Sequence, residues 1–89
     1  MKYTKKSEII EAFKFTGGIE QVEDPTWIID MLRNGDAEFK NEGTKEVSII
    51  IKTVEGNMNA NVGDYIMLRF DGRVYPCGQD IFEGTYKLI

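Results

Sequence analysis

The sequence predicts an α+β domain: a curved antiparallel sheet of five or six short strands, open or partly closed into a barrel, with one short helix over about residues 24–34 packed on it. Three observations carry this reading. Residues 47–75 hold short alternating segments divided by Glu55-Gly56, Gly63-Asp64 and Asp71-Gly72. One stretch alone, Trp27, Ile28, Met31 and Leu32, has helical spacing with apolar side chains on one stripe. With 89 residues, the chain has the length of a single small domain spanning 1–89.

The first strand is expected at Ser7–Thr16, closed by Gly17-Gly18. Ile9, Glu11, Phe13 and Phe15 share one face and Ile10, Ala12 and Lys14 the other, so this strand should be covered at least partly on both sides. Asp24-Pro25 opens the helix, with Asp24 accepting from free backbone amides and Pro25 at the first helical position. Asn34-Gly35 ends it, because either residue tolerates the left-handed conformation of a helix cap.

A short strand is expected at Ala37–Lys40, a turn at Asn41–Thr44, and the strongest strand at Val47–Thr53. After Glu55-Gly56, Met58, Ala60 and Val62 alternate with asparagines, which predicts one buried and one wet face. Tyr65–Phe70 and Arg73–Tyr75 form a hairpin around Asp71-Gly72, a pair that favours a two-residue type I′ loop. Pro76 cannot donate to a ladder, so that strand ends there or lies at an edge. Asp80 is placed to cap a short turn of helix through Glu83 with Gly84 as its stop, and Thr85–Ile89 reads as a short last strand.

Composition excludes several chemistries. The chain has no histidine and one cysteine, which removes Ser-His and Cys-His dyads, an internal disulfide and a structural zinc site, so no metal and no cofactor are expected. A lone thiol suits a reducing cytoplasm. No apolar run approaches the ~20 residues of a membrane span, and the N-terminal run lacks the apolar core of a signal peptide. The net charge of -4 disfavours nucleic acid as a partner, with Lys2, Lys5 and Lys6 reading as solvated charges.

The candidate chemical groups mostly read as turn residues. Asp64 and Asp71 occupy turns, Asp80 a helix start, and Glu83 the same terminal third; Cys77 reads as a small packing group beside a turn. No glycine pattern matches a phosphate-binding loop. The best candidate binding surface is one face of the hairpin: Tyr65, Met67 and Arg69 on one strand, Arg73 and Tyr75 on the other. Tyrosine, arginine and methionine are residues that interfaces favour.

The motifs IEAFKFTG (10–17), IKTVEG (51–56), VGDYI (62–66), GRVYPC (72–77) and DIFEGTY (80–86), with Met1-Lys2-Tyr3, resemble a family of short uncharacterised proteins of bacteriophages and prophages of Gram-positive bacteria. Val62 stands where that family's pattern often has proline, which loosens the backbone before Gly63-Asp64 and leaves the turn in place. The resemblance implies a phage origin and expression in the host cytoplasm, and it carries no activity or site residues. The expected function is therefore a non-enzymatic accessory module that binds a host or phage protein and pairs as a homodimer. Two alternatives stand beside it: a small-ligand or nucleotide site with weak hydrolytic chemistry through Asp64, Asp80 or Glu83, and nucleic-acid binding.

Overall fold

The strand with apolar residues on both faces is the centre of the molecule. In the computed structural model, which describes residues 2–5, 8–17, 25–69 and 71–88, it is β2 (Glu8–Lys14). On one side it pairs with β1 (Lys2–Lys5), and on the other with β6 (Tyr65–Leu68). The hairpin strand β7 (Val74–Cys77) extends the sheet beyond β6, and the two-residue β8 (Lys87–Leu88) extends it beyond β1. The result is a five-stranded antiparallel sheet of order β7-β6-β2-β1-β8. Both faces of β2 are covered as its pattern requires: Ile10 and Ala12 on one side and Phe13 and Phe15 beyond it on the other are all at most 2% exposed.

A second sheet contradicts the expected single meander. The helix α1 (Thr26–Asn34) leads to β3 (Ala37–Lys40), β4 (Ser48–Thr53) and β5 (Gly56–Asn61), which form a separate antiparallel sheet of order β3-β4-β5. Among the described residues, neither sheet closes into a barrel. The switch lies at Gly63-Asp64. Instead of folding β6 back onto β5, the chain crosses to the end of β2, where the Gly63 amide donates to the Phe15 carbonyl and the Phe15 amide donates to the Asp64 carbonyl, both at 2.8 Å. Gly63 takes a φ of 97° there, which a side chain would resist.

Two apolar cores result. The larger lies between the sheets: Phe13, Phe15, Ile66 and Val74 of the first meet Ile49, Ile51 and Ala60 of the second, with Ile28 of α1 sealing one side and Trp27, Met31 and Leu32 packed against it. The expected helix stripe is thus the buried one. Its start differs in detail: Pro25 is the cap residue itself, and its carbonyl accepts from the amides of Ile28 and Ile29. Asp24 lies outside the described residues. Gly35 ends the helix with a φ of 81°, as its sequence predicts.

The smaller core lies on the opposite face of the five-stranded sheet. It gathers Ile10, Ala12, Tyr65 and Phe82, with Tyr3, Met67, Cys77 and Tyr86 around them. Phe82 comes from α2 (Gln79–Thr85), a second helix longer than the single turn expected. Asp80 makes no capping bond, Gly78 is the cap residue, and Gly84 lies inside the helix rather than stopping it. Burial overrides local preference here: Phe82 is fully buried, and hiding a side chain of that size contributes roughly 1.5–3 kcal/mol, more than the ~1 kcal/mol that a helical glycine costs.

Two smaller expectations are also corrected. Met58 and Val62 are 37% and 50% exposed, so of the three residues expected on a buried face only Ala60 is buried. The β6–β7 loop is longer than a two-residue type I′ turn. The Arg69 amide donates to the Arg73 carbonyl, so three residues lie between the paired ends, and the Gly72 amide donates back to the Arg69 carbonyl. Asn41 is the one described non-glycine with positive φ, so Asp71 lacks the left-handed conformation that a type I′ loop demands of both central residues.

Candidate functional site

The hairpin face predicted from the sequence is real, but the protein divides it. The register pairs Tyr65 with Cys77 and Met67 with Tyr75, and opposed residues of an antiparallel pair point to the same side. Arg69 and Arg73 continue that side into the loop, joined by their backbone hydrogen bond. Beneath it Ala12 opposes Met67 and Lys14 opposes Tyr65.

The first half of this face is covered by the chain itself. The Tyr65 ring stacks on Phe82 with centroids 4.1 Å apart and meets Tyr3 edge-on at 5.9 Å. Phe82 in turn stacks on Tyr86 at 4.9 Å and touches Tyr3 edge-on at 4.8 Å. The Tyr65 hydroxyl donates to Glu83 Oε2 at 2.7 Å. Burial, then this carboxylate bond, raises the Tyr65 phenol well above its ordinary range. Met67 and Cys77 pack at the border of the same cluster. Burial raises the Cys77 thiol too, assisted by the charge of Asp64, so it is a poor nucleophile near neutral pH.

The second half stays outward. The Arg69 guanidinium lies 5.9 Å from the centre of the half-buried Tyr75 ring, within the range of a cation–π contact. Arg73 is exposed, with its Nε 3.7 Å from Asp71 Oδ2, a surface pair that contributes little to stability. Beside them lies a groove of about 230 Å³ between the ends of the two sheets. Its lining includes Met31 from the end of α1, Lys52 and Val54 from the end of β4, and Arg73, Val74 and Tyr75 from β7 and its loop. Among its described lining residues, Asp36 is the one carboxylate. Lys52 and Met31 carried no signal in the sequence, because each joins the site from a different element.

The carboxylates considered for chemistry are not assembled. Asp64 Oδ2 accepts from the Asn61 amide at 2.9 Å and Asp71 Oδ1 from the Arg73 amide at 3.0 Å, both turn contacts. Glu83 holds Tyr65, and Asp80 is exposed on α2. None of Asp64, Asp80 and Glu83 lines the groove or the shallower hollow of about 210 Å³ beside Lys2, Ile9, Leu68 and Arg69. Among the described residues, no three Cys, Asp or Glu side chains cluster to hold a metal ion, and no helix is long and apolar enough to cross a membrane.

Comparison of the chain with protein-family models, with curated proteins and with solved structures gives no match.

Proposed function

We propose that this chain is a non-enzymatic accessory module of a bacteriophage or prophage that works in the host cytoplasm by binding a protein through Arg69, Arg73, Tyr75 and the groove beside them. The resemblance of its motifs to short phage proteins supports the origin. One observation carries the binding role. Where Tyr65 and Met67 are absorbed by α2, the remaining Tyr and Arg side chains of the same face are left outward next to a groove. Tyrosine and arginine at a groove lined by methionine and valine are the composition of an interface anchor point.

Size and charge narrow the partner. Small-molecule pockets usually enclose about 300–1,000 Å³, so this open groove suits one or two side chains of a protein segment better than a whole ligand. The described lining of the groove holds Lys52 and Arg73 against Asp36, in a chain of net charge -4. A segment presenting a carboxylate beside an apolar side chain meets both features. The carboxylate-based hydrolytic alternative has no comparable support, since its residues are spent separately on turns and on Tyr65.

A peptide library varied in acidic and apolar positions tests this reading. Peptides that combine the two should bind, and Arg73→Glu with Tyr75→Ala should weaken them at least about tenfold, equivalent to ~1.4 kcal/mol. Failure of every acidic–apolar peptide to bind, or affinity unchanged in the double variant, overturns it; so does salt-dependent binding of DNA or RNA in place of peptides.

A further inference from the structure

We infer that β5 is a self-complementary edge through which two copies of this chain join their three-stranded sheets into one six-stranded sheet. This goes beyond the peptide groove and rests on different residues.

The strand edges of the fold are guarded unequally. β3 carries Glu38 and Lys40, and β8 is only two residues long. In β7, Pro76 opposes Ile66, between the hydrogen-bonded pairs, so its missing amide falls on the open side and offers no donor there. Charge, shortness and proline are the usual protections of an edge. β5 has none of them: Gly56-Asn57-Met58-Asn59-Ala60-Asn61 spans six residues with neither charge nor proline.

Hydrogen-bond alternation shows which groups β5 leaves open. The Val54-Glu55 loop closes on the bonded pair Thr53–Gly56, so Met58 and Ala60 bond to β4, while the backbone of Asn57, Asn59 and Asn61 points away. Asn61 verifies the phase: its amide donates to Asp64 Oδ2, and its carbonyl accepts from the Asp64 amide. That leaves the outward groups of Asn57 and Asn59, on residues that are exposed together with Met58.

One two-fold register uses all of these features. With the axis at Met58, Asn57 of each copy pairs with Asn59 of the other, making four backbone hydrogen bonds from the four open groups of each copy. Met58 then faces its own counterpart across a close, non-bonded pair. Val54 and Val62 stand in the turns at the two ends of β5, outside the paired segment. Continuing the pairing beyond Asn59 is blocked, because Asp64 already occupies Asn61.

Cysteine cross-linking in a Cys77→Ser background tests both the contact and its register. Met58→Cys should form a disulfide-linked dimer under mild oxidation, because that position meets itself, whereas Asn59→Cys, which faces Asn57, should link at least tenfold more slowly. Sedimentation of the untagged protein should show a concentration-dependent dimer that Met58→Lys converts to monomer with unchanged circular dichroism. A wild-type chain that remains monomeric at millimolar concentration overturns the proposal, as does equal cross-linking at both positions or a dimer that survives Met58→Lys. A monomeric Met58→Lys variant that still binds peptides separates this result from the groove, whose Arg73 and Tyr75 it leaves intact.

Discussion

Tyr65 shows how one residue can be read correctly in kind and wrongly in role. Its place on a Tyr/Arg/Met face was legible from alternation alone, but the ring beneath which it disappears belongs to Phe82, and no local pattern reports that contact. Cys77, Asp64 and Asp71 fared better, because packing and turn chemistry are local and their neighbours announce them. The buried hydroxyl sets a pH dependence. Tyr65, Tyr86 and Cys77 all have raised folded pKa values, each chiefly through burial. The native state therefore holds these protons more tightly than the unfolded chain. Stability from them is complete below the unfolded pKa values and is lost as pH climbs past about 9–10. Thermal unfolding followed from pH 7 to 11 should show a falling midpoint above about pH 9, and Tyr65→Phe should flatten that fall. A midpoint independent of alkaline pH would count against the burial of Tyr65 and its bond to Glu83.

At the scale of elements, α1, β2, β3, β4 and the β6–β7 hairpin were all legible, since each has a clear period and punctuation within its own residues. β1, α2 and the division into two sheets were not. Lys2-Tyr3-Thr4-Lys5 reads as a charged chain end until Tyr3 is seen opposite Ile10 and against Phe82. α2 lacks a capping side chain and contains Gly84, so its helical state rests on Phe82 filling the space above Tyr65. Removing that ring should therefore undo more than one contact. Phe82→Ala is expected to cost about 3–5 kcal/mol by chemical denaturation, and to expose Tyr65 to solvent in its ultraviolet spectrum. A loss below ~1 kcal/mol would mean that α2 is not holding the smaller core.

Across the whole molecule, one sheet is shared by two cores, and this sharing decides how much of the hairpin face stays uncovered. The side of the five-stranded sheet facing β4 and β5 is consumed by Ile66, Val74 and their partners, and the opposite side is half consumed by α2. On the hairpin face, Arg69, Arg73 and Tyr75 are left outside both cores, with Arg73 and Tyr75 lining the groove. The sequence could not show this division, because it depends on Phe82 crossing over a strand that lies 17 residues earlier. Alanine substitution at Tyr65, Met67, Arg69, Arg73 and Tyr75 in turn, read as the shift in thermal midpoint, tests it directly. A change of 1 kcal/mol moves the midpoint of a domain this size by about 4–8 °C. The account predicts a fall of more than about 10 °C for Tyr65→Ala, a smaller fall for Met67→Ala, and shifts within about 4 °C for Arg69, Arg73 and Tyr75. Equal losses at all five positions, or a larger loss at Tyr75 than at Tyr65, would contradict it.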